Sequence, residues 1–310
     1  MPEFRRILCP IDFSQFSVRA YLHAVSLAQH YRAKVFVQHI VELWRYPSAD
    51  FAASAGAFEE FCCGLGETGE KELQQFLKNY TPDDIQPERV VQRGTAPDLI
   101  LAFAEAQKAD LIVMGTHGRR GFDRLMLGSV TERVMRKASC PVLVVHKPSH
   151  DFIIPNSRQD AVNLSRILFC TDFSENSDRA LDYAIALTEE YKAEITLVHV
   201  LENTSRSASK EAAANATEQL DKLIPLELRK ADRVKTRVCI GKPYEQIIRI
   251  AMEAQTELLV MAVRGRNALD RAVFGSTTHR VIQLGPCPVL VVHVLAAPHG
   301  FGSRLDFVLG

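Results

Sequence analysis

Short apolar runs alternate along this chain with segments whose apolar residues recur every three or four positions. "RRILCPI" (5–11), "KVFVQHI" (34–40), "RVVQRG" (89–94), "ADLIVMG" (109–115) and "PVLVVH" (141–146) read as strands. After the first of them, Ser14 is placed to cap a helix that carries Tyr21, Ala24, Val25 and Ala28 on one face. Further helices are expected at "EKELQQFLKNY" (70–80), "PDLILAFAEAQ" (97–107) and "GSVTERVMRKA" (128–138). Between 42 and 70 no period holds, and no element is expected there. Strands that alternate with helices predict a parallel sheet with right-handed crossovers. Their continuous apolar character fits a sheet covered on both faces.

The whole pattern is written twice. "RILCPIDFSQFSVRA" (6–20) and "RILFCTDFSENSDRA" (166–180) agree at nine of fifteen positions, and "CPVLVVH" occurs at both 140–146 and 287–293. The repeating unit is a full domain, not a solenoid repeat. The expected architecture is therefore two tandem doubly wound α/β domains, each a five-stranded parallel sheet with helices on both faces. Their expected bounds are 1–147 and 164–295, with a polar linker at 148–163 and a tail at 296–310. "PVLVVH" is short, apolar and last in each unit, so it would be an exposed edge unless paired.

Composition narrows the function classes. Lys+Arg and Asp+Glu are equal at 37 each, so no overall field points to nucleic acid or to a membrane surface. No run approaches the roughly 18 apolar residues of a membrane span, and no signal-length segment precedes Asp12. The seven cysteines show no paired, metal-type spacing and mostly lie in apolar strand-like runs, as small buried hydrophobes do. A reduced, cytoplasmic protein is expected.

The candidate chemistry sits after the fourth strand. In a doubly wound sheet, ligands bind beyond the carboxyl ends of the strands where the strand order reverses. If strands one and four are neighbours there, Asp12 faces the loop that holds Gly115, Gly118, Gly128 and Ser129. Ser129 follows the last glycine at a helix start, where unpaired N–H groups and the helix dipole favour phosphate. Asp12 suits a ribose hydroxyl or a metal better than a phosphate. No lysine follows Gly128, so this is not a P-loop, and no glycine follows strand one, so it is not a dinucleotide fingerprint. Asp12 and Asp172 also fit the plainer role of turn residues before a helix. Arg119 and Arg120, like Arg264 and Arg266, suit either phosphate or solvent. His39 and His199 recur at the end of strand two and read as structural. His117 becomes Arg264 in the second copy, which argues against a required general base there.

The pattern Gly-x2-Gly-x9-Gly-Ser at Gly115, Gly118, Gly128 and Ser129, with the early Asp12 and the terminal "PVLVV", resembles the universal stress protein family in its tandem form. The resemblance implies ATP as ligand, alone or with Mg2+, and a stress-adaptive regulatory role without a defined reaction. It implies that Asp12 contacts the ribose region and that Ile11 and Ile40 flank the adenine. Met114, Gly115, Gly118, Gly128, Ser129 and Val130 would line the phosphates and sugar, with Arg119 beside them. The second-half counterparts are Asp172, Val200, Gly265, Gly275 and Ser276. Family dimers pair the last strand, which a tandem chain can do internally as a pseudo-dimer, with a homodimer of chains as a further level. A slow nucleotide hydrolase, or an interaction scaffold with a vestigial second pocket, are the competing readings. Ala262 stands where the first half has Gly115. A methyl there would strain a positive-φ backbone or intrude on the ligand, so the second site is expected to be the weaker.

Overall fold

The computed structural model describes residues 4–42, 55–116, 127–146, 148–153, 162–202, 208–263 and 275–293. The first half runs β1 (Arg6–Ile11), α1 (Gln15–Tyr31), β2 (Lys34–Val41), α2 (Ala55–Tyr80) and β3 (Glu88–Arg93). It continues through α3 (Ala96–Ala106), β4 (Leu111–Gly115), α4 (Ser129–Lys137) and β5 (Val142–Val145). The second half repeats the order with β6 (Arg166–Cys170), α5 (Glu175–Glu190), β7 (Glu194–Leu201), α6 (Ala208–Leu223), α7 (Leu226–Lys230) and β8 (Val234–Ile240). It closes with α8 (Pro243–Glu253), β9 (Leu258–Ala262), α9 (Ser276–Leu284) and β10 (Val289–Val292).

Within each half the five strands are parallel, and strand one lies between strands two and four. The two halves are joined edge to edge. Among the described residues all ten strands form one sheet, ordered β3-β2-β1-β4-β5-β10-β9-β6-β7-β8. At its centre β5 and β10 run antiparallel, with Val142, Leu143 and Val144 opposite Val291, Leu290 and Val289. The expected internal pseudo-dimer is present.

The strand alternation explains why "VLVV" is apolar throughout. Leu143, Val145, Leu290 and Val292 enter the core on the α1 and α5 side of the sheet. Val142, Val144, Val289 and Val291 enter the core on the opposite side, with Met135 and Ile282 of α4 and α9. Each core crosses from one half into the other. The junction is reinforced where α1 and α5 end. There Tyr31 and Tyr191 meet edge to face, and His30 Nε2 lies 2.9 Å from Glu190 Oε1. A small void of about 20 Å³ remains between Phe4, Leu143, Phe152, Tyr191 and Leu290.

Two segments depart from the sequence pattern. The helix expected over 70–80 begins at Ala55, inside the stretch that shows no period. Gly64 and Gly66 face open space, where glycine only lowers helix propensity by about 1 kcal/mol each. Gly69 does more: an added Cβ would lie 3.3 Å from both His39 and Val41, so its absence lets α2 lie close on the sheet. The stripe Leu73, Phe76 and Leu77 then anchors the helix. The segment 148–163 was expected as a polar linker, yet its described ends are built into the junction. Phe152 and Ile153 are buried, and Ile153 bridges to Val162. His23 Nε2 lies 2.8 Å from Asp151 Oδ1, and its Nδ1 lies 2.8 Å from the Arg19 carbonyl of α1.

The buried cysteines Cys9, Cys140, Cys170 and Cys287 behave as small apolar side chains. Burial pushes the Cys140 thiol up to about 12. No helix among the described residues is long and apolar enough to cross a membrane.

Because both cores span the junction, Leu290→Ala should destabilise the whole chain by about 2–5 kcal/mol. Urea denaturation followed by circular dichroism should still show one transition at a lower midpoint. A two-step curve in which only one step moves would contradict the shared core.

Candidate functional site

The site is built where β1 and β4 lie side by side, since their reversal opens a crevice at their carboxyl ends. Ile7 pairs with Leu111 and Leu8 with Ile112, and the same register carried forward sets Ile11 level with Gly115. The expected adjacency of strands one and four is therefore met.

The first wall is the turn Asp12-Phe13-Ser14. Asp12 Oδ1 accepts from the Ser14 N–H at 3.1 Å, and Ser14 caps α1 by accepting from the Ser17 N–H. Phe13 takes a φ of 63°, a left-handed conformation that costs a non-glycine residue roughly 1–2 kcal/mol. Its ring is held 4.4 Å from that of His39, and His39 Nδ1 donates to the Ile11 carbonyl at 3.0 Å. The second half repeats the device. Phe173 has φ 57° and lies 4.3 Å from His199, which donates to the Thr171 carbonyl. Both histidines are therefore structural at Nδ1, clamping the turn that carries the aspartate. The sequence signal was available: "DFS" recurs with a strand-end histidine at the same spacing.

The second wall is the end of β4. Thr116 N–H donates to Val145, and Gly128 N–H donates to the Thr116 carbonyl, which closes the loop at its base. Thr131 Oγ1 donates to the Gly115 carbonyl and ties α4 to the strand. Gly128 is the N-cap of α4 and supplies no side-chain cap, so the first-turn amides are not covered by their own cap. Glu132 lies in that turn, and its carboxylate pairs with Arg136. In the second half Gly275 caps α9 in the same extended backbone region, and His279 stands in place of Glu132.

The predicted residues divide as follows. Asp12, Gly115, Gly128 and Ser129 gather at one crevice, with Val130 half-buried in the first turn of α4. Ile11 and Met114 reach the same end, but their side chains are buried in the two cores. Ile40 and Val200 sit near the ends of β2 and β7, partly buried against the core on the α3 and α8 side. Asp172, Gly275 and Ser276 form the second-half equivalent. Gly118 and Arg119, Gly265, and the neighbouring His117, Arg120, Arg264 and Arg266 lie outside the described residues, as does Trp44.

The reason for Gly115 differs from the expected one. Its φ is not in the left-handed region. A Cβ built there would lie 2.7 Å from the Cβ of Phe16 and 2.9 Å from its backbone carbon. The missing methyl therefore makes room for the first turn of α1. The second half combines Ala262 with Asn176 at the position of Phe16, and Asn176 Nδ2 reaches the Val263 carbonyl at 3.2 Å. Ala262 is thus no evidence of a weaker second site.

The fold defines a tandem α/β protein with a reversal of strand order in each half. A sequence profile of the universal stress protein family matches residues 3–146 and again 163–293, and the chain belongs to that family. It is 36% identical over 148 residues to the universal stress protein MJ0531 of Methanocaldococcus jannaschii, an alignment covering 48% of this chain and 85% of that one. It is 27% identical over 194 residues to Rv2005c of Mycobacterium tuberculosis, covering 60% of this chain and 62% of that protein. The crystal structure of a universal stress protein from Archaeoglobus fulgidus superposes with a TM-score of 0.68 at 22% identity, covering 94% of this chain and 98% of that one.

Gly115→Ala should destabilise the protein by about 1–3 kcal/mol through overpacking. Phe16→Ala keeps the offending Cβ and should not relieve it. Ala262→Gly should change stability by less than about 1 kcal/mol. Urea midpoints of the three variants and the Gly115→Ala/Phe16→Ala pair would check this; a neutral Gly115→Ala would refute the packing role.

Proposed function

We propose that the crevice between β1 and β4 binds ATP and that the protein is a non-catalytic, cytoplasmic regulator in the stress response. The observation that carries the reading is that β1, which Asp12 follows directly, and β4, whose loop closes on the glycine N-cap of α4, are neighbouring strands. Phosphate oxygens would accept from the first-turn amides after Gly128, aided by the Ser129 hydroxyl and the helix dipole. Asp12 would accept from ribose hydroxyls, and Ile11 and Ile40 would flank the base. Among the described residues no cluster of three His, Cys, Asp or Glu side chains could hold a metal ion. An accompanying Mg2+ would therefore be held chiefly by the phosphates.

The first half, where the Gly-x2-Gly-x9-Gly-Ser pattern is complete, is the main site on this reading. Ser177 gives its hydroxyl proton to Asp172 at 2.8 Å, and Ser174 gives its own to the same oxygen at 2.5 Å. In the first half Ser17 donates instead to the Ser14 carbonyl.

Calorimetric titration of the full chain with ATP tests this, because the shared core forbids treating the halves as separate fragments. Gly128→Val should weaken the dominant binding event at least about tenfold, or about 1.4 kcal/mol. Gly275→Val should leave that event unchanged. No heat of binding, or the opposite order of the two variants, would overturn the proposal. Steady-state phosphate release well above background would favour a hydrolase instead.

A further inference from the structure

The repeated histidine at the end of "CPVLVVH" has a use that neither crevice accounts for. Antiparallel pairing of β5 with β10 sets the end of each strand beside the start of the other, where the other half's last helix has just finished. His146, which follows β5, donates from Nε2 to the carbonyl of Gly285, the C-cap of α9, at 2.7 Å. His293, which follows β10, is hydrogen-bonded to the main chain of Arg136 in the last turn of α4. Each histidine thus crosses the junction to the far end of a helix that begins at the opposite crevice.

The same strand ends are tied to their own crevices. Thr116, directly after Gly115, donates to Val145, the residue before His146. Val263, directly after Ala262, donates to Val292, the residue before His293. The helices that complete the circuit have nine residues each, about 13 Å of rigid rod with its start at Ser129 or Ser276.

We infer that the two crevices are cross-braced and regulate one another: filling one shifts its strand end, and the histidine there passes the shift to the helix that opens the other. Resting on the nucleotide reading of both crevices, this makes the coupling reciprocal by linkage, so each site changes the other's affinity by the same factor. Burial pushes both imidazoles below the ordinary histidine range, and a neutral ring keeps a single N–H. In His146 that proton is on Nε2, consistent with a buried Nδ1 that has no hydrogen-bond partner. Arg19, His23 and Asp151 are the charged or titratable groups nearest that ring.

Hydrogen–deuterium exchange on the full-length protein tests the brace without nucleotide. His146→Phe should raise amide exchange in 276–284 several-fold, and His293→Phe should do so in 129–137; the polar variants His146→Gln and His293→Gln should be milder. Faster exchange confined to the variant's own half, or none at all, would overturn the brace. The coupling is then read in Gly275→Val, in which only the first crevice can bind. ATP should slow exchange in 129–137 and also alter it in 276–284, and adding His146→Phe should abolish only the second effect. An ATP effect on 129–137 that leaves 276–284 unchanged would overturn the coupling. If ATP fails to bind at all, the nucleotide reading falls and the coupling with it, while the nucleotide-free exchange still decides the brace.

Discussion

The antiparallel pairing of β5 with β10 is the contact on which the rest of the molecule depends. Three residues on each side carry it, and their side chains alternate between two cores. Without the pairing, two apolar strands would be exposed edges, each with a row of unmet N–H and C=O groups. With it, the sheet becomes continuous and the helices on both faces share their packing across the chain's two halves. The ends of the 148–163 segment, through Phe152, Ile153 and Asp151, are drawn into the same junction.

At the crevices, local geometry is fixed by contacts within the chain. A phenylalanine in the left-handed region, stacked on a histidine that grips the preceding carbonyl, sets the direction of each aspartate. On the facing strand, the lack of a side chain at Gly115 brings α1 against β4. Such a site is preorganised by its scaffold: the turn and the helix start hold their positions through main-chain bonds.

The repeats have diverged both at the crevices and inside the packed sheet, where the buried Cys9, Phe36 and Gln38 correspond to Phe169, Thr196 and Val198. Phe16 against Asn176, Glu132 against His279 and Gly115 against Ala262 all border the two crevices. The central strands β5 and β10 keep "VLVV" unchanged.

Periodicity and repetition in the sequence determined the fold class, the duplication, the strand and helix order and the residues that meet beyond β1 and β4. These are properties of local pattern: alternation of apolar runs with amphipathic segments admits few topologies. The helix across 55–69 was hidden because its glycines look like breakers. Only the sheet beneath Gly69 shows that one of them is a packing surface. The role of Gly115 was likewise misread from the chain alone, since a glycine before a loop looks the same whether a ligand or another helix approaches it. The histidines after β5 and β10 were visible as a repeat but had no meaning until the antiparallel register set each beside the other half's helix end. Contacts between residues 139 positions apart, such as His146 with Gly285, depend on how two complete units dock, and no local pattern encodes that distance.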